Sequence, residues 1–167
     1  MAKKDLRLIT FRVGAETFAA DIMAVRQVVA YEGSTLVPTA PAFVEGVMIF
    51  RGEVIPVIDL RRRFFPQQPE SGEQPLVMIS AAKSGAIGLK VDEVRALANV
   101  TTDDLLPAPP IVRGVRGDYL VAIVEHRDEL LLVLDIDAIL TDDEQRELVE
   151  TNLTADHDSS SRGASER

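Results

Sequence analysis

The chain has 167 residues, 46% of them hydrophobic, with 27 acidic against 18 basic side chains and a formal net charge of -9. That is enough apolar material for one domain or for two small modules sharing a core, and the acidic balance disfavours adhesion to DNA or anionic lipid. Six Phe, two Tyr and no Trp give no stacking platform for single strands, and the absence of Cys excludes disulfides, thiolate metal sites and thiol nucleophiles.

The amino terminus, MAKKDLRLITF, enters an alternating pattern with no signal-peptide core. No run reaches the roughly 18 apolar residues that span a bilayer. The chain reads as soluble and intracellular, with no nucleic-acid partner and no direct membrane insertion.

In chain order, LRLITFRVG from residue 6 and TFAADI at 17–22 flank a turn at Gly14, which predicts a hairpin. Asp21 is placed to cap a short helical turn before the chain extends again at Val28 and Val29. Pro38 and Pro41 make an ordered connection. Residues 43–50 and 53–58 are strands on either side of Arg51-Gly52, a pair suited to a tight turn. The polar segment PQQPESGEQP at 66–75 reads as a loop between modules. LVMIS and AIGLKV then flank Lys83-Ser84-Gly85, and VDEVRALANV predicts a second short helix followed by a strand. Pro107, Pro109 and Pro110 mark another rigid connection, and YLVAIVEH and ELLLVLDI predict a hairpin around Arg127-Asp128. Thr141 to Glu144 resembles a capping box that opens a C-terminal helix of about three turns. Residues 154–167 read as a disordered tail.

These parallels form an internal repeat. Phe18, Ala20, Ile22, Val25, Arg26, Val28 and Pro38 return 69 residues later as Ile87, Leu89, Val91, Val94, Arg95, Leu97 and Pro107. Gly46, Arg51, Glu53, Val57, Asp59 and Leu60 return 76 residues later as Ala122, Arg127, Glu129, Val133, Asp135 and Ile136. The growth from 69 to 76 matches an added loop, IVRGVRG, in the second copy. The chain is therefore mainly β: two repeated modules, at approximately 14–65 and 83–140 with room for strand exchange, inside a domain over 6–153. About five short strands per module suit a small barrel, and the seam between two barrels would form a groove able to bind a protein.

Little in the chain suggests catalysis. Asp59 and Asp135 end equivalent strands, where a cap is expected. His126 falls in a turn and His157 in the tail, without partners at metal-site spacing. The serines lack a nucleophile-elbow sequence, and the glycines form no phosphate cradle. Arg51 is the exception: its five donors are able to clamp a carboxylate or carbonyls of a partner, to stand in solvent, or to form an internal ion pair. Val25, Val28, Ile55 and Val57 are candidates for either an apolar interface or the core.

The framed pattern GxxxxRGxxxPxxDL at 46–60, between FRVGAETFAADIMAVRQVV and GLKVDEVRALANVTTDDLLPAPP, resembles the CheW family of bacterial chemotaxis coupling proteins from about Leu6 to Leu140. The resemblance implies two five-stranded, SH3-like β-barrels with short helices. It implies a non-enzymatic adaptor, without cofactors, that links a CheA-type histidine kinase to the cytoplasmic tips of methyl-accepting chemoreceptors. Such a protein is cytoplasmic and recruited to membrane-associated receptor arrays. Other CheW-like modules are further possible partners.

Carried over residue by residue, the resemblance places receptor binding at Val25, Gln27, Val28, Gly46 and Arg51, and a kinase-facing or supporting role at Val54, Pro56 and Asp59. The chain departs from the family pattern at Ile49-Phe50, where Asn-Leu is usual, at Gln27, where an acid is common, and at Ala122, where glycine is usual. The alternatives are a passive array scaffold, a regulator of a non-flagellar system such as one controlling pili, an enzyme using the groove, and a detached regulatory domain of a kinase.

Overall fold

A computed structural model describes residues 3–68, 74–112 and 114–148. The strands are β1 (Asp5–Val13), β2 (Glu16–Asp21), β3 (Val25–Ala30), β4 (Val44–Phe50), β5 (Glu53–Asp59), β6 (Leu76–Ala82), β7 (Gly85–Val91), β8 (Glu93–Thr101), β9 (Ile111–Val112), β10 (Val115–Arg116), β11 (Leu120–His126) and β12 (Glu129–Leu134), with helix α1 (Leu60–Phe64) after β5. Residues 142–148 are helical. The expected helix continues past that point and the expected tail follows it, both outside the described residues.

Two five-stranded sheets carry the architecture, in the orders β11-β12-β2-β1-β8 and β4-β5-β7-β6-β3. The orders superimpose under the internal repeat, since β1, β2 and β8 correspond to β6, β7 and β3. Each sheet takes a hairpin from one repeat and three strands from the other. The parallel pairs β12·β2 and β5·β7 are the junctions, at Leu132↔Phe18 and Val57↔Gly88. Sheet membership thus cuts across the repeats, and neither half of the chain can complete a sheet alone.

Alternation explains why both faces are apolar. Along β1, Ile9, Phe11 and Val13 enter a central core between the sheets, while Leu8 enters a smaller core of the first sheet with Ala19, Val124, Leu131 and Val133. Along β6 and β7, Met78, Ile87 and Leu89 face the centre, whereas Val77, Ile79 and Ala86 join Ile55 and Val57 in a small core of the second sheet. Each sheet therefore curls over its own small core and packs its other face against its counterpart, so near-continuous apolar runs are buried on both sides.

The barrel expectation holds only at the coarser level of two β-rich subdomains. Instead of a closed ladder, the chain leaving one edge strand meets the opposite edge through one isolated bridge, Thr35↔Val47 in the second sheet and Leu106↔Ile123 in the first. The short helix expected near Asp92 is also absent. The Asp92 amide donates to the Arg12 carbonyl at 3.0 Å, and its carboxylate accepts from the Gly14 amide at 2.7 Å, so the group that would cap a turn is committed across the sheet. The surplus loop of the second repeat folds into the two-stranded β9·β10 pair, with Val115 in the central core.

The Arg51 hairpin as the candidate functional site

The β4–β5 hairpin turns at Arg51-Gly52, between the paired residues Phe50 and Glu53. Both turn residues have positive φ, 50° and 78°, the geometry of a two-residue type I′ turn that matches strand twist. Glycine adopts this readily, whereas Arg51 is a strained position held by contacts around it. Its Nη2 donates to the Gln27 side-chain carbonyl at 2.7 Å, and its guanidinium lies 5.1 Å from the Phe50 ring centroid. Gln27 is on β3, the far edge of the same sheet, so this bond joins the sheet's two edges at an exposed tip. The equivalent turn, Arg127-Asp128, also has both residues at positive φ, 51° and 63°.

Gly46 sits in a β-bulge opposite Val57, with φ 152°. A Cβ there would run into the carbonyl of Thr35, so a glycine is what lets Thr35 bridge Val47. Because Val47 exchanges both backbone bonds with Thr35, its partner across the hairpin, Pro56, loses no bond to β4 by lacking an amide hydrogen. Val25 and Val28 are half-buried and pack on the central core.

The structure thus brings Gln27 and Arg51 into direct contact, while Ile55 and Val57 are core residues. Val54 is half-buried, and Pro56 and Asp59 are buried. Asp59 caps α1, accepting from the amides of Arg61 at 3.0 Å and Arg62 at 3.3 Å, as expected of a strand-ending aspartate. Asp135 accepts from the Asp137 amide at 3.0 Å in the equivalent place.

Beside the hairpin runs a charged network that the sequence reading missed. The Glu45 Oε1 accepts from the Tyr31 hydroxyl at 3.0 Å and from Lys90 Nζ at 3.3 Å, and its Oε2 lies 3.1 Å from Arg62 Nη2. Lys90 also covers the Tyr31 ring at 4.5 Å and stands 4.0 Å from Asp59. Burial pushes the Tyr31 phenol above its ordinary value of 10.0; the Ser34 hydrogen bond opposes that shift and Glu45 reinforces it. The available signal was a lone charge inside each of two apolar strands, VEGVMIF and GAIGLKV, where unpaired burial is costly.

Among the described residues there is no group of three or more His, Cys, Asp or Glu side chains able to hold a metal, and no helix long and apolar enough to cross a membrane. The site consists of an ordered cation, a bulge and partly buried apolar side chains, which suits recognition of another protein.

The CheW-like domain model matches residues 7–144. The chain is 30% identical over 149 residues to the chemotaxis protein CheW of Treponema pallidum (strain Nichols), covering 87% of this chain and 88% of that protein. It is also 30% identical over 138 residues to the chemotaxis protein CheW of Rhizobium meliloti (strain 1021), covering 83% and 89%. The crystal structure of scaffolding protein TtCheW from Thermoanaerobacter tengcongensis has the same fold, with a TM-score of 0.77 at 24% identity over 84% of this chain and 91% of that one. The repeat-related residues from Phe18 to Ile136 and the arginine-tipped hairpin lie within the matched residues 7–144, and the chain belongs to the CheW family of chemotaxis adaptor proteins.

Proposed function

We propose that this adaptor couples methyl-accepting chemoreceptors to a CheA-type histidine kinase, in the cytoplasm, at receptor arrays. Gln27 and Arg51 face the receptor, and the half-buried Val25 and Val28 and the buried Gly46 support that surface from beneath. Val54, Pro56 and Asp59 support the hairpin from within on the kinase-facing side. The observation that carries this reading is the convergence of Gln27 and Arg51 at one exposed tip from opposite edges of one sheet. A partner docked there touches both edges together, so it can sense or bias the curl of the whole subdomain. The two five-stranded SH3-like barrels of the family describe that curl in its finer form.

Coupling requires the receptor's signalling states to differ in their interaction free energy with the adaptor–kinase complex. A difference of about 1–3 kcal/mol changes kinase activity from several-fold to about a hundredfold. The test is kinase autophosphorylation with receptor-containing membranes, comparing no adaptor, the wild type and Arg51→Ala at equal folded concentration. Receptor-dependent activity restored by the wild type and weakened by Arg51→Ala supports coupling through this tip. Kinase binding without receptor-dependent activity would replace coupling by passive scaffolding.

A further inference from the structure

Arg51 is a fully charged group whose hydrogen-bond partner among the described residues is a neutral amide oxygen, that of Gln27. Glu53, the acid next to the turn, faces Phe50 across the ladder and forms no ion pair with Arg51 among the described residues. One guanidinium donor is engaged, and the cation–π contact with Phe50 fixes the plane of the group, so further donors are held in an ordered array without a protein carboxylate. Two residues before it on β4, Ile49 is 75% exposed.

The corresponding tip of the second repeat differs in charge. Residues 125–129 carry three acids against one arginine, while residues 49–53 carry one of each. In a chain of net charge -9, the Arg51 tip is the one of the two arginine turns that is not dominated by acids.

We infer that this tip recognises a carboxylate lying beside an apolar side chain on the partner. This rests on the proposed receptor coupling and deepens it, by naming the chemistry of the receptor segment that docks. The partner's carboxylate pairs with the guanidinium that Gln27 and Phe50 hold in place, and its apolar neighbour covers Ile49. Gln27 is then a specificity residue: it orders Arg51 without neutralising it. A glutamate at position 27 would supply the carboxylate internally and compete with the partner for the same donors.

The test is titration of a soluble cytoplasmic signalling fragment of a chemoreceptor from the same genome into the full chain, at low and at high salt. The variants are Arg51→Gln, Gln27→Glu and Arg127→Gln, each checked for an unchanged unfolding midpoint. Wild-type affinity should fall with salt. Arg51→Gln should weaken binding by about three- to tenfold and flatten the salt dependence, and Gln27→Glu should also weaken it by about threefold, while Arg127→Gln binds as wild type. Equal or tighter binding by Gln27→Glu, or an unchanged salt dependence in Arg51→Gln, overturns the carboxylate inference and leaves receptor coupling standing. A wild type that does not bind the fragment sinks receptor coupling itself, and this inference with it.

Discussion

Arg63 and Glu144 form a two-pronged ion pair, Nη1 to Oε2 at 2.9 Å and Nη2 to Oε1 at 2.6 Å, that fastens α1 to the helical residues 142–148. Arg63 also donates from Nε to the Ile139 carbonyl at 3.1 Å and lies over the rings of Phe43 and Tyr119, at 4.2 and 5.2 Å. Glu144 serves twice, since its Oε1 also accepts from the Thr141 amide at 2.9 Å while its own amide donates to the Thr141 hydroxyl at 3.1 Å. One side chain thereby caps the C-terminal helix and docks it.

Removing Arg63 leaves a largely buried carboxylate unpaired, so Arg63→Ala should cost about 2–4 kcal/mol. Glu144→Gln keeps an acceptor for the cap and should cost less, about 1–2 kcal/mol. Urea unfolding monitored by circular dichroism measures both; equal losses would show that leaving the Glu144 carboxylate unpaired costs nothing beyond the lost ion pair.

The bulge in β4 gives a comparison between the repeats. Gly46→Ala meets the Thr35 carbonyl at a φ that side chains avoid and should cost about 2 kcal/mol or more. The reverse change at the equivalent buried position, Ala122→Gly, should cost only about 0.5–1 kcal/mol through unfolded-state entropy. Denaturation midpoints of the two variants decide this, and similar losses would mean that the Thr35 bridge does not constrain position 46.

Asp59 and Asp135 are equivalent in the repeat and unequal in surroundings. Asp59 is 3% exposed, caps two amides and lies 3.6 Å from Arg61 Nη2 and 3.5 Å from Arg62 Nε. Asp59→Asn removes the charge opposite those cations and should cost about 3–5 kcal/mol. Asp135 is exposed and caps one amide, so Asp135→Asn should cost less than about 1 kcal/mol. The thermal midpoints should separate accordingly.

Tyr31 predicts an alkaline weakness. Its folded pKa lies above the ordinary 10.0, chiefly through burial, so as pH rises past 10 the unfolded chain loses its proton first. The stability contributed by the neutral phenol is intact below pH 10 and declines as pH rises through the folded pKa. Tyr31→Phe should therefore lose less stability than wild type between neutral pH and pH above 10, measured by urea unfolding across that range. Parallel curves for the two proteins would remove Tyr31 as the cause.

The sequence by itself determined the local pieces. The Arg51-Gly52 and Arg127-Asp128 turns, the caps at Asp21, Asp59 and Asp135, the hairpins and the repeat were all legible, because turn chemistry and alternation act over a few residues. Family membership was legible too, since the ordered motif spans most of the chain. Only the tertiary structure decided which hairpin completes which sheet. An apolar strand states that it must be buried but not by whom, and the repeats offer two chemically similar partners for every strand. The same limit hid the Arg51–Gln27, Glu45–Lys90 and Arg63–Glu144 contacts, which join residues 24, 45 and 81 positions apart. It also hid the fate of Asp92, whose carboxylate was free to cap a local turn until Gly14, 78 positions away, took it. Such pairings carry no periodicity, and only the curl of each sheet brings their members within bonding distance.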